Sequence, residues 1–216
     1  MNEHAAGVSW QRLRRVALGL AASAMAVTAV HAKPNPSIVV MPPAALPEQA
    51  RQSGEALFLH DSIDGRTILY VEQRLGAQLA SFDVTDPAHI KSEGSQPLPA
   101  PGPYDYVAAA GDDAYLVRYR QGQGDAILDL HRAATLTSVP GLESSATPGG
   151  SERAAYAEAV IANVPEFTRI LDPNRIRAAI TKADTGTTFV LADNGLYVIR
   201  QPATEAVHRL MAVAPN

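Results

Sequence analysis

The chain is 216 residues long, contains no cysteine and carries a formal net charge of −4. The missing cysteines exclude disulfides, thiolate metal sites and a cysteine nucleophile. No basic patch of four or more residues occurs, so nucleic acid and anionic membrane are poor partners, and at this length one domain that buries its own core is the default.

Residues 1–32 read as a helical secretory signal peptide cleaved after Ala32. Arg12, Arg14 and Arg15 form a basic head, Val16–Val30 is an apolar run, and Val30-His31-Ala32 closes it in the manner of a cleavage site. The run is fifteen residues, short of the roughly 20 needed to span a bilayer. Arg14-Arg15 also raises twin-arginine export of a folded, cofactor-loaded protein, but Ala17 stands where such signals carry a bulky apolar residue. Removing the segment takes away three Arg and one Glu, leaving 15 basic and 21 acidic residues and a net charge of −6. The expectation is a periplasmic or secreted protein with no membrane segment in its mature form.

Residues 33–53 form a proline-rich N-terminal segment. Pro34, Pro36, Pro42, Pro43 and Pro47 confine the apolar stretch Ser37–Met41 to one short strand, and Ala44–Arg51 suits a short helix. From residue 54 to 216 the pattern becomes a single domain of short strands. Ala56–Leu59, Thr67–Glu72 and Leu79–Val84 alternate with turn chemistry, of which Asp64-Gly65 is the strongest signal. Lys91–Pro103 is loop or edge, because Pro97, Pro99, Pro101 and Pro103 deny it a central place. Tyr104–Ala109, Tyr115–Val117 and Asp129-Leu130 continue the strand pattern, and Val160–Pro165 echoes Ser81–Pro87. Ser151–Ala162 suits helix or strand. Pro173–Ile180, after Asp172 as a cap, suits one helical turn or two. Thr187–Ile199, broken at Asp193-Asn194-Gly195, is the clearest hairpin. Pro202 ends it, and His208–Ala214 reads as a final strand.

A repeat runs through these strands. Shifting Leu69-Tyr70-Val71 by 46 residues reaches Tyr115-Leu116-Val117, and the same shift takes Asp83-Val84 to Asp129-Leu130. Gly76 in one unit and Gly122 and Gly124 in the other mark the connections. Units of this size cannot bury an apolar face alone and must stack on neighbours. The fold expected is mainly β, of repeated short antiparallel strands, either β-propeller-like or an open twisted sheet or sandwich. If the units close into a ring, Ile38–Met41 and Leu210–Ala214 are the strands to join the termini.

Leu69-Tyr70-Val71 followed by Phe82-Asp83-Val84-Thr85-Asp86-Pro87 resembles the LVIVD repeat of exported bacterial β-propeller proteins. The likeness spans roughly residues 54–202 and is fullest in the first unit. The second unit lacks the Asp-Pro, and the last has Arg200 in place of the aspartate. The resemblance implies structural blades with no shared active site. The chain as a whole is also similar to small uncharacterised exported proteins of proteobacteria.

Few residues offer chemistry. His60, His89, His131 and His208 show no metal-ligand spacing. His60-Asp61 is the best single pair, a carboxylate beside an imidazole that it can orient, against the plainer reading of two polar residues at a turn. Asp61, Asp64, Asp83 and Asp86 crowd one unit without the spacing of a calcium loop. Asp83 and Asp86 are better explained by backbone hydrogen bonds that shape the turn before Pro87. Gly122-Gln123-Gly124 is not a nucleotide loop, Gly149-Gly150-Ser151 is not a nucleophile elbow, and Asp112-Asp113 is a turn. Arg118 and Arg120 share a strand face that suits an anion or, more plainly, solvent. The only tryptophan, Trp10, leaves with the signal.

The sequence therefore names no catalytic, cofactor-binding or metal residue. The expected protein is a non-catalytic binding or scaffold module of the cell envelope, partnered by an unknown envelope protein or small ligand. The alternative is a periplasmic hydrolase whose site assembles only in three dimensions. A cleft holding His60 or His131 with two carboxylates would favour that alternative.

Overall fold

The structure, a computed structural model, describes residues 38–131, 134–139 and 171–213. The signal segment 1–32, the helix-or-strand stretch 151–162, Val160–Pro165 and Gly149-Gly150-Ser151 lie outside the described residues.

Among the described residues, twelve strands form three four-stranded antiparallel sheets. The first sheet holds β1 (Val39–Met41), β10 (Ile176–Lys182), β11 (Thr187–Ala192) and β12 (Gly195–Arg200), in the order β1-β12-β11-β10. The second runs in chain order through β2 (Gly54–Asp61), β3 (Thr67–Gln73), β4 (Gln78–Asp83) and β5 (Lys91–Pro97). The third does the same with β6 (Tyr104–Ala109), β7 (Ala114–Tyr119), β8 (Asp125–Asp129) and β9 (Thr135–Val139). Single 3-10 turns at Pro43–Ala45 and Glu48–Arg51 replace the short helix expected before Gly54, and another at Pro173–Arg175 precedes β10. The first part of the stretch expected to be loop or edge, Lys91–Pro97, is the outer strand β5, and Pro97 ends it where a missing N–H breaks no ladder.

The second sheet is buried on both faces, which is why its strands carry such dense apolar runs. Strand alternation sends Leu57, Leu69, Val71, Ala80 and Phe82 into one core with Phe189, Leu191, Leu196 and Val198 of the first sheet. The opposite face sends Phe58, Tyr70 and Leu79 into a second core with Tyr104, Val117, Tyr119 and Leu128 of the third sheet. A third cluster, around Val190, Tyr197 and Ile199, gathers Val40 of β1 and Ile176 of β10.

The 46-residue repeat is visible in the ladders. Ile68 faces Asp83 and Glu72 faces Leu79, and 46 residues later Ala114 faces Asp129 and Arg118 faces Asp125. The strand ends match as well. Asp83 Oδ1 accepts the Thr85 N–H at 2.9 Å, and Asp129 Oδ1 accepts the His131 N–H at 2.8 Å. Each aspartate closes its strand with the same local turn.

The end of the chain differs from expectation. Residues 202–213 form a helix, α1 (Pro202–Val213), and not a last strand. Pro202 opens it, a place where its missing N–H is no loss. Thr204 and Glu205 N–H groups both return to the Gln201 carbonyl. The alanine- and leucine-bearing stretch that follows favours helix. The N-terminal strand therefore pairs elsewhere: Val39, Val40 and Met41 lie opposite Arg200, Ile199 and Val198 of β12. No helix among the described residues is long and apolar enough to cross a membrane.

Candidate functional site

A cavity of about 440 Å³ opens where the second and third sheets meet. The end of β2 and its turn contribute His60 and Ser62, and β3 with the residue before it contributes Arg66, Ile68 and Tyr70. Ser81 comes from β4, Glu93 from β5, Asp113 from the loop before β7, and Leu130 and His131 from the turn after β8.

Strand alternation explains the second sheet's share. Phe58 faces Tyr70, which in turn faces Ser81, and His60 faces Ile68 in the next row, so these side chains emerge on the face turned to the third sheet. Glu93 arrives by a different device. The β4–β5 register steps from Ser81 opposite Gly94 to Phe82 opposite Ser92, so Glu93 is the extra residue of a bulge, beside Gly94 at φ +134°. A bulge re-aims its side chain, and here it brings the carboxylate to the cavity.

Tyr70 lines the cavity and is backed by an aromatic cluster. The Phe58 ring lies 4.9 Å from Tyr70 at an interplanar angle of 12°, 4.0 Å from Tyr106 and 4.3 Å from Tyr115. His60 is 6% exposed and bridges the two sheets. Its Nε2 is 3.1 Å from Asp113 Oδ1, and its Nδ1 is 2.9 Å from the Tyr115 hydroxyl. A carboxylate only accepts, so Nε2 carries the proton; in the neutral ring Nδ1 then accepts from Tyr115. The Tyr115 hydroxyl is held protonated, because burial pushes its pKa up and the neighbouring Tyr70, Asp61 and Asp113 add to the effect. The second oxygen of Asp113 faces His131 Nδ1 at 3.5 Å. Asp113 thus stands between two imidazoles, one buried and one largely exposed.

Arg66 forms the other wall. Its Nε donates to Asp64 Oδ2 at 2.7 Å and its Nη1 to Glu93 Oε1 at 3.2 Å. The Arg66 hydrogen bonds hold the Asp64 carboxyl below its ordinary range. The Tyr70 hydroxyl has its pKa raised, first by burial and then by the Asp113 charge.

Other residues singled out in the sequence are placed otherwise. Asp61 does not orient His60; it accepts the Thr67 hydroxyl at 2.7 Å. Neighbours in a strand point to opposite faces, so residues 60 and 61 cannot converge. Asp86 accepts the Ala88 N–H at 3.0 Å and contacts His89 Nδ1 at 2.8 Å. Among the described residues no group of three or more His, Asp or Glu is placed to hold a metal ion. Arg118 grips Asp125 with two bonds of 2.8 and 3.0 Å, and Arg120 binds Asp105 and Glu55. Their charges are spent inside the protein, not offered to an anion. Gly122 and Gly124 sit in the β7–β8 connection at φ +72° and +86°.

Asp113, Tyr115, Tyr70, Arg66 and Glu93 carry no functional signal of their own in the sequence. The repeat held a clue. Residues 67 and 85 pair across one unit, the Thr67 N–H donating to Thr85 Oγ1 at 3.0 Å. The 46-residue shift of that pair is Asp113 and His131.

Compared with known proteins, the chain matches no family model, no curated protein and no solved structure.

Proposed function

We propose that this is an exported, non-catalytic binding module of the cell envelope, which takes a small polar ligand into the cleft between its second and third sheets. The observation that carries this reading is the state of His60. Both its ring nitrogens are engaged, by Asp113 and Tyr115, and the ring is buried. It fixes Asp113 as a presented acceptor, and its own accepting nitrogen is turned to the Tyr115 hydroxyl, which is not among the lining residues of the cleft. Preorganised hydrogen-bonding groups on rigid strands are what a binding site needs. The three four-stranded meanders, with an N-terminal strand completing the first sheet, support a β-propeller-like arrangement. The basic, apolar and small-residue order of residues 1–32 supports export.

A thermal-shift screen of the full chain against sugars, amino acids, polyamines and phosphates tests the binding role. At least one class raises the melting temperature, and Asp113→Asn removes the shift; no shift with any class sinks the reading. Cell fractionation tests export, with chain cut after Ala32 expected in the periplasm or medium and uncut chain in the cytosol counting against it.

One observation favours the second reading, a hydrolase. The cleft does bring His60 and His131 together with two carboxylates, Asp113 and Glu93. His131 is the exposed member and contacts Asp113 through Nδ1. Turnover of a chromogenic ester, phosphate or glycoside that disappears in His131→Ala would replace the binding reading with this one.

A further inference from the structure

We infer that the cleft selects a neutral polyhydroxylated ligand, a mono- or disaccharide, over an anion. This rests on the cleft being the ligand site proposed above.

Arg66, the guanidinium of the lining, already faces Asp64 and Glu93, at 2.7 and 3.2 Å. Asp113 faces His60 and His131, at 3.1 and 3.5 Å. An anion competing for Arg66 must displace a carboxylate and then sits among Asp64, Glu93 and Asp113. That exchange returns little net Coulomb energy while desolvating the anion.

Hydrogen-bonding capacity remains after these contacts are made. A carboxylate has about four acceptor sites and a guanidinium five donors, and the contacts above use only part of each. Glu93 and Asp113 therefore still accept, and Arg66 still donates. The Tyr70 hydroxyl, kept protonated by burial and by Asp113, adds a donor between them. Donors and acceptors interleaved on planar groups suit a vicinal diol, in which each hydroxyl gives one bond and receives another. The wall is polar, so an apolar ligand would strand those groups. The Tyr70 ring, backed at 4.9 Å by Phe58, offers the apolar surface against which the C–H face of a sugar packs. A cavity of about 440 Å³ has room for one or two sugar rings.

The test is titration calorimetry with ligand-observed NMR on the full chain. The neutral probes are glucose, maltose, cellobiose and N-acetylglucosamine; inorganic phosphate and putrescine are the charged ones. At least one saccharide binds, at least tenfold more tightly than phosphate and more tightly than putrescine. Glu93→Gln, on an exposed edge strand and so safe for folding, weakens it tenfold or more, and Asp113→Asn does the same. If phosphate or putrescine binds more tightly than every saccharide and depends on Asp113, the saccharide inference falls while the cleft stands as a site. It falls in the same way if no saccharide binds but another metabolite gives an Asp113-dependent thermal shift. If no probe responds to either variant and no such shift exists, both readings fall.

Discussion

Glu72 is fully buried on β3, and only one of its oxygens finds a partner: Oε2 accepts the Glu55 N–H at 3.1 Å, while Oε1 has none. Burial lifts its pKa from an ordinary 4.5 to about 7, and backbone donors at Gly76 and Glu55 offset only part of that. The sign follows from linkage. Below about pH 4.5 both folded and unfolded chains hold the proton and Glu72 is harmless. As pH rises towards 7 the unfolded chain releases its proton first, so stability falls, and above 7 the loss is complete at about 3 kcal/mol. Glu72→Gln keeps the shape and removes the charge. Urea unfolding at pH 4, 5, 6, 7 and 8 should show the variant overtaking the parent by about 3 kcal/mol at pH 8, with near-equality at pH 4. Parallel pH profiles for the two proteins would refute this. In the turn just after the same strand, Arg74 and Leu75 hold φ of +53° and +56°. That region costs a non-glycine residue about 1–2 kcal/mol, and both side chains are exposed. Replacing the pair by Asn-Gly, the residues such turns prefer, should raise the unfolding free energy by about 1 kcal/mol or more; an unchanged urea midpoint would show that the strain is absent.

At the level of elements, the junction that shapes the cleft is held by packing and by one charged strap. Arg120, in the β7–β8 connection, donates at 2.8 Å to both Glu55 Oε2 and the Glu55 carbonyl, and grips Asp105 through two more bonds of 2.9 and 3.2 Å. It ties the start of β2 to β6. Because the guanidinium is about a third exposed, solvent screens part of its value, and Arg120→Ala should cost about 1–2 kcal/mol. Arg120→Lys should recover little, since an ammonium cannot span a carbonyl and two carboxylates. Equal stability of both variants and the parent in chemical denaturation would mean the sheets need no strap. The strands themselves were legible because their physics is local. Alternating burial, turn residues and prolines lie within a few positions of one another, and the closing aspartates 83 and 129 mark strand ends at a fixed spacing. The helix α1 was not legible as such. A short apolar stretch near the end of a chain has no decisive period, and Pro202 reads equally as the end of one element or the start of the next. The cleft was least legible. His60 meets Asp113 and Tyr115 only because two sheets stack, and Glu93 turns inward only because β5 carries a bulge; neither event leaves a mark beside the residue concerned.

For the molecule as a whole, the first strand is decisive, because it is the piece of the fold supplied from furthest away in sequence. β1 contributes three residues to the outside of a sheet otherwise formed by the last three strands. Val40 joins the cluster with Tyr197 and Ile199, and Met41 packs on the core shared with the second sheet. Pro42 follows directly and confines the pairing to that short register. Deleting residues 1–41 strips β12 of its outer neighbour, leaving a row of backbone groups open to another chain. The lost ladder bonds and apolar contacts together amount to about 3 kcal/mol. The shortened protein should therefore unfold at lower urea and associate more readily on concentration. A synthetic peptide of residues 36–43 added in trans should restore the missing strand, raising the unfolding midpoint in a concentration-dependent way. A scrambled peptide of the same composition should not. If the deletion leaves the midpoint untouched, or the scrambled peptide rescues equally well, then β1 is an ornament on a sheet that the last three strands hold by themselves.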